Sequence, residues 1–249
     1  VHNAVELWFV DPQAIDMSAL WQTYERLLGD DERSKKDRLL FAGLRRDYLL
    51  TRALARTVLS EKLSIPAREL RFGTNEYGRP HVVGHPSFSF NISHTDGLIV
   101  LAVAQTGEIG VDVERLGTGR ASSQIAEFSF ATEEVAALRA SAPSQLDEAF
   151  VSYWTLKESY VKARGTGFAI SPASFAFDLS TEHAVRFTPP HDDTDDSSTH
   201  FCLFRPLDSY LCAVCLRSCI EPPLLTAWHT VPLVSERALE VHTLRRSIR

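Results

Sequence analysis

The 249 residues carry 44% hydrophobic and 23% charged side chains, with a formal net charge of −6. Those proportions suit a globular protein with a real core and exclude wholly disordered, collagen-like, coiled-coil and low-complexity chains. The acidic balance argues against nucleic acid as the main partner, although it leaves room for a local cationic pocket.

Residues 4–10 alternate as a first strand, and Ser18 is placed to cap a short helix ending at Gly29. The polar run DDERSKKDR leads into a long helix from about Leu44 to Leu63, stopped by Pro66. RFGTNEYGRP (71–80) has the glycines and proline of a turn-rich loop. Three strands follow. In SFSFNI, Phe88, Phe90 and Ile92 alternate with Ser87, Ser89 and Asn91; LIVLAVA is apolar on both faces, as in a central strand; in EIGVDVE, Ile109, Val111 and Val113 point one way and Gly110, Asp112 and Glu114 the other. After the connection 115–130, Thr132 is placed to cap a helix through Arg139, and a second helix runs from about Ser144 to Arg164, ended by Gly165. Strands near 174–179, 184–188, 200–205 and 209–216 follow, with an acidic insert at 189–199 expected as a mobile surface loop. Beyond Pro222 the pattern is weak. The order predicts an α+β fold of two similar lobes, 1–114 and 115–225, followed by a tail, 226–249.

No apolar run approaches the ~20 residues of a membrane helix. The opening VHNAVELWFV lacks the basic-then-apolar order of a signal peptide, so a cytoplasmic, membrane-free protein is expected. The four cysteines, Cys202, Cys212, Cys215 and Cys219, include one zinc-like C-x2-C spacing. SYLCAVCLRSC reads as a strand, however, which sends Cys212 and Cys215 to opposite faces and favours buried structural thiols.

Alternate strand residues lie about 6.6 Å apart on one face. Asp112 and Glu114 therefore present two carboxylates together, and like charges so placed call for a cation between them. Mg²⁺ suits the position, because it takes a few carboxylates and completes its shell with water and phosphate oxygens. Two solvated acids on an exposed strand are the commoner alternative. On the second helix Glu158 and Lys162 are four apart, a third carboxylate with a cation one turn on, or an ordinary surface pair. Lys157 projects into an apolar arc beside Trp154 and Val161, so its head either snorkels or meets a buried anion. A strand ending in Asn91, Ser93 and His94, with Arg79 and Arg45 or Arg46, offers phosphate-binding chemistry.

The segments RRDYLLTRALAR (45–56), RFGTNEYGRP (71–80), FSFNISHTDG (88–97), IGVDVER (109–115), FSFATEE (128–134) and WTLKESYVKARGTGF (154–168) occur in a specific order. In them the chain resembles the surfactin-type (Sfp-like) 4′-phosphopantetheinyl transferases over about residues 30 to 216. The resemblance implies a pseudodimer of two α/β lobes. It also implies transfer of the phosphopantetheine of coenzyme A to a serine of apo acyl, peptidyl or polyketide carrier proteins, with release of adenosine 3′,5′-bisphosphate. It further implies Mg²⁺, or Mn²⁺, held by Asp112, Glu114 and Glu158. Glu158, Asp112 and Lys162 then match the catalytic positions, with Glu158 as general base and Lys162 on the pyrophosphate. Arg46, Gly73, Thr74, Arg79, Ser93, His94 and Lys157 match coenzyme A contacts, and Arg33, Lys35 and Lys36 fall where some members bind the 3′-phosphate. The 115–130 connection matches a region that receives the carrier; Arg115, Arg120 and Arg139 can meet an acidic partner there, though solvated connector residues are the commoner case. A monomer is expected, since a fused pseudodimer carries its own second lobe. Competing readings are a metal-dependent nuclease and a non-catalytic module that binds coenzyme A or a carrier.

Overall fold

The computed structural model describes residues 4–119, 123–191 and 198–248. Arg120 and most of the acidic insert lie outside them.

The first sheet contains β1 (Ala4–Val10), β4 (Ser89–Thr95), β5 (Leu98–Ala104), β11 (Leu224–Val231) and β12 (Ser235–Leu239), in the order β12-β11-β1-β5-β4. Helices α1 (Met17–Leu27) and α3 (Ala42–Leu63) cover one face of it, α2 (Asp30–Arg38) packs beside α3, and β2 (Phe72–Thr74) and β3 (Pro80–Val82) form a separate hairpin. The second sheet contains β6 (Glu108–Arg115), β7 (Ala176–Asp178), β8 (Ala184–Thr188), β9 (His200–Arg205), β10 (Tyr210–Arg217) and β13 (His242–Ser247), in the order β6-β10-β9-β13-β8-β7. Its helices are α4 (Ser123–Ser129), α5 (Thr132–Ala140) and α6 (Leu146–Arg164).

The inner faces of the two sheets pack on each other. Val5, Leu7, Val100 and Ala102 of the first meet Ile109, Val111, Val113 and Val214 of the second. The outer face of the first sheet buries Trp8, Leu101 and Val103 against Leu50, Leu54 and Val58 of α3. That of the second buries Leu211, Ala213 and Cys215 against Leu156 and Tyr160 of α6. The result is helix, sheet, sheet, helix in two lobes, but the sheets do not divide at 114 and 225: β6 (Glu108–Arg115) belongs to the second, and β11 and β12 of the expected tail complete the first. Strand β5 is apolar on both faces because each face has its own core. Cys212 and Cys215 do sit in different cores, and all four cysteines are free and buried.

Local details depart from expectation. Asp16, not Ser18, caps α1, its Oδ1 accepting from Ser18 N–H at 2.9 Å. Residue Ala131, not Thr132, caps α5; its N–H is taken by the Glu134 carboxylate at 2.8 Å. The polar run 30–38 is itself a helix, with three acids in its first turn and three cations in its last, matching the helix dipole. The stretch after Pro222 holds three strands. Single-face periodicity missed them because β12 is almost wholly exposed and β13 only half-buried.

Candidate active site

Strand β6 presents Gly110, Asp112 and Glu114 to α6. At Gly110 the two elements touch: a Cβ there would lie 2.0 Å from the Ser159 carbonyl oxygen and 2.4 Å from Ala163 N. Only glycine permits this approach, and it brings the acids one and two alternations further along beneath Glu158 and Lys162.

The Lys162 Nζ donates to Asp112 Oδ1 at 2.6 Å, Ser93 Oγ at 3.0 Å and the Val111 carbonyl at 3.2 Å. Ser93 Oγ donates in turn to Asp112 Oδ1 at 2.9 Å. Asp112 is 4% exposed, and its second oxygen, Oδ2, is buried without a partner. The solvated-acid alternative therefore does not hold for Asp112. Burial and then the Asp112 charge push the Glu158 carboxyl above its ordinary range; Lys162 opposes them and Glu114 adds a smaller push. Glu114 is half-buried and accepts from Thr95 Oγ1 at 2.9 Å.

Ser93 and Thr95 belong to a regular ladder. Strand β4 runs beside β6 at the rim of the sheet sandwich, and its outward side chains replace a backbone ladder: Ile109 N–H donates to Ser89 Oγ at 3.1 Å, Val111 N–H to Asn91 Oδ1 at 3.0 Å and Val113 N–H to Ser93 Oγ at 3.4 Å. The polar residue at every second position of SFNISHT is the sequence signal for this face.

A cleft of about 280 Å³ opens between Tyr77–Pro80 of the β2–β3 turn, Asn91, and Glu158, Val161, Lys162 and Gly165 of α6, with Gly167, Ile170 and Pro172 behind. A larger cavity of about 660 Å³ lies near Val185, Phe187, His200 and Ile248 at the far side of the second sheet and holds none of these acids.

The remaining expected residues are placed as follows. Arg79 reaches the cleft, but its guanidinium is engaged by the Ala163 carbonyl at 2.7 Å, Ser89 Oγ at 2.9 Å and the Ile109 carbonyl at 3.3 Å. Gly73 and Thr74 lie in β2, where the His81 ring fills the space a Cβ of Gly73 would need. His94 is exposed on the opposite side of β4 from Ser93, so the two are not brought together. Arg46, half-buried on α3, pairs with Asp47 at 2.9 Å and does not line the cleft.

Lys157 departs from expectation. Its ammonium turns away from the cleft into a pocket 2% exposed, where Glu134 Oε2 at 2.8 Å and the carbonyls of Pro172 and Phe175, each at 2.7 Å, take its three protons. A buried anion, the second of its two expected fates, explains the placement; contact with coenzyme A does not. Glu134 was missed, together with Asn75, whose amide reaches the Gly165 carbonyl at 2.8 Å. Both partners are far apart in sequence, and no periodicity marks them.

Among the described residues no three acid, histidine or cysteine side chains form a ready metal cage. The donors nevertheless fit a hard divalent cation: Asp112 and Glu158 supply carboxylate oxygens, and the buried Asp112 Oδ2 has no hydrogen-bond partner.

Residues 108–215 match the family model described as 4′-phosphopantetheinyl transferase superfamily, and residues 16–106 match the model 4′-phosphopantetheinyl transferase, N-terminal. A 4′-phosphopantetheinyl transferase of Bacillus subtilis is 32% identical over 165 residues, covering 65% of this chain and 70% of that protein. The transferase psf-1 of Bacillus pumilus is 32% identical over 190 residues, covering 75% and 78%. The transferase Sfp of Bacillus subtilis strain 168 is 32% identical over 142 residues, covering 57% and 62%, so the match spans less than two thirds of that relative.

Proposed function

The chain belongs to the 4′-phosphopantetheinyl transferase superfamily, and from that premise we propose that it moves the phosphopantetheine arm of coenzyme A onto a serine hydroxyl of an apo carrier protein, releasing adenosine 3′,5′-bisphosphate. The observation that carries this reading is the convergence of Asp112, Glu158 and Lys162 across β6 and α6, with Glu158 and Lys162 lining a cleft.

In this reading Asp112 and Glu158, with Glu114 beside them, would hold Mg²⁺ or Mn²⁺. When bound, the ion neutralises charge on the diphosphate and polarises its phosphoryl oxygens. Lys162 supplies a positive charge beside Asp112, and Ser93 orients it. The serine oxygen forms a bond to the β-phosphorus while the bond from that phosphorus to the bridging oxygen breaks; the departing bisphosphate keeps that oxygen. Glu158 accepts the serine proton. Its place beside Asp112 and Lys162 in the cleft puts its carboxylate where the serine hydroxyl would enter. Positioning and charge neutralisation do most of the catalysis, as in phosphoryl transfer generally. The carriers are acidic acyl, peptidyl or polyketide carrier proteins, and the enzyme works as a monomer. No helix among the described residues is long and apolar enough to cross a membrane; the proposed compartment is the cytoplasm, where coenzyme A and carriers meet.

The test is mass spectrometry of an apo carrier incubated with the protein, coenzyme A and Mg²⁺. A gain of one phosphopantetheine group is expected, abolished by EDTA and restored by Mg²⁺. Asp112→Asn and Glu158→Gln should each lower transfer by about 10²-fold or more; Glu158→Gln should retain or raise the melting temperature because it removes a crowded negative charge, whereas Asp112→Asn gives up the ion pair with Lys162. No gain on any of a panel of carriers would refute the transferase reading. A Glu158→Gln variant of near-normal activity would refute its role as base.

A further inference from the structure

The turn joining β2 to β3 is fastened to the far end of α6. Asn75 organises this with a single carboxamide. Its Oδ1 accepts from Tyr77 N–H at 3.0 Å and Arg79 N–H at 2.8 Å, which closes the turn. Its Nδ2 donates to the Gly165 carbonyl at 2.8 Å, ninety positions along the chain. Arg79, held at the end of this turn, donates Nη1 to the Ala163 carbonyl at 2.7 Å. Gly165 caps α6 in the left-handed region at φ 66°, and a Cβ there would lie 2.5 Å from Arg79 Cδ.

The last carbonyls of a helix have no partner within it and carry the negative end of its dipole. The end of α6 borders the cleft, one turn beyond Lys162. Left bare, it would repel a diphosphate. Asn75 and Arg79 supply donors to two of those carbonyls and place a positive charge over them.

We propose that Asn75 is a positioning residue of this site: its carboxamide latches the 75–80 turn to the C-terminal cap of α6, holding Arg79 over the helix end and setting the cleft width for the coenzyme A diphosphate. The proposal rests on the transferase reading for the identity of the ligand, but the latch itself is a contact between the two lobes. Its effect falls on binding of coenzyme A and not on the bond-making step, because Asn75 touches neither the acids nor Lys162.

The test uses Asn75→Ser and Asn75→Asp in the full chain. Serine keeps a short acceptor for the turn but cannot reach Gly165. Aspartate keeps the shape and the acceptor but loses the donor. Coenzyme A affinity is measured by calorimetry, KM and kcat with an apo carrier, and amide exchange at residues 77–79, with thermal melting to verify the fold. Both variants should weaken coenzyme A binding and raise its KM by about five- to tenfold, the size of one lost hydrogen bond. The kcat at saturating coenzyme A should stay within about threefold, and amide exchange at 77–79 should quicken. Raised ionic strength should relieve only the additional loss that aspartate causes by charge. Unchanged affinity and exchange in both variants, or a fall in kcat with KM unchanged, overturns the latch while leaving the transferase reading intact. A wild-type chain that binds no coenzyme A overturns both.

Discussion

Tyr24 is fully buried under the first sheet, and its hydroxyl donates to the Pro232 carbonyl at 2.9 Å. Burial pushes this phenol up to about 12, and burial does the same to Tyr153. The folded value lies above the unfolded value of ~10. The stability from the neutral phenol is therefore complete below about pH 10 and lost as pH rises through about 12. An ultraviolet titration should show late-ionising phenols, and Tyr24→Phe should remove one from the last group to ionise; a Tyr24 that ionises near 10 would contradict its burial. At this scale the acids were the most legible part of the sequence. Asp112 and Glu114 share a strand face by simple alternation, and Glu158 and Lys162 share a helix flank. Burial of Asp112 was not legible, because it depends on α6 arriving at Gly110. Ser93 and His94 leave opposite sides of β4, as neighbours on a strand do, so the strand places only Ser93 beside Asp112 and Lys162.

The element that organises the second lobe is α6, and the Lys157–Glu134 pair ties it to α5. Burial works against both charges, pushing Glu134 up and Lys157 down, and the pairing offsets that cost. The same ammonium holds the carbonyls of Pro172 and Phe175, so it also anchors the segment behind the cleft. Lys157→Met should strand the Glu134 charge and destabilise the protein by about 3–5 kcal/mol in urea unfolding, and Glu134→Gln with Lys157→Met together should cost less than Lys157→Met alone. A Lys157→Met variant as stable as wild type would show that the ammonium does not carry the pair. Sequence flagged Lys157 as misplaced in an apolar arc but could not name its partner, because α5 and α6 meet only through tertiary packing. The elements themselves were readable where one face is apolar, as in α3, β4 and α6. The helix α2, wholly polar, reads in the sequence only as a polar run leading into α3; the charges at its two ends are the signal that marks it.

Across the whole molecule the chain visits each sheet twice. Strand β11 pairs in parallel with β1 from Ala4 opposite Leu224 to Phe9 opposite His229, and Trp8 stacks on Trp228 at 5.0 Å. Strand β13 then crosses to the second sheet and inserts between β9 and β8. Deleting residues 224–248 should therefore abolish cooperative unfolding, seen by circular dichroism as loss of a single sharp melting transition; a sharp transition in the shortened chain would show these strands to be dispensable. The two-lobe plan was legible from element order, whereas the return of the last strands was not, since β12 owes its conformation to its neighbour and not to its own pattern.

The late insertion of β13 has a further consequence for biosynthesis. A chain leaving the ribosome can assemble α1–α3 against β1, β4 and β5, but a gap remains in the middle of the second sheet until residues 242–247 have emerged. The second lobe therefore matures only once β13 is available, and until then the open edges of β9 and β8 are the places exposed to wrong pairing.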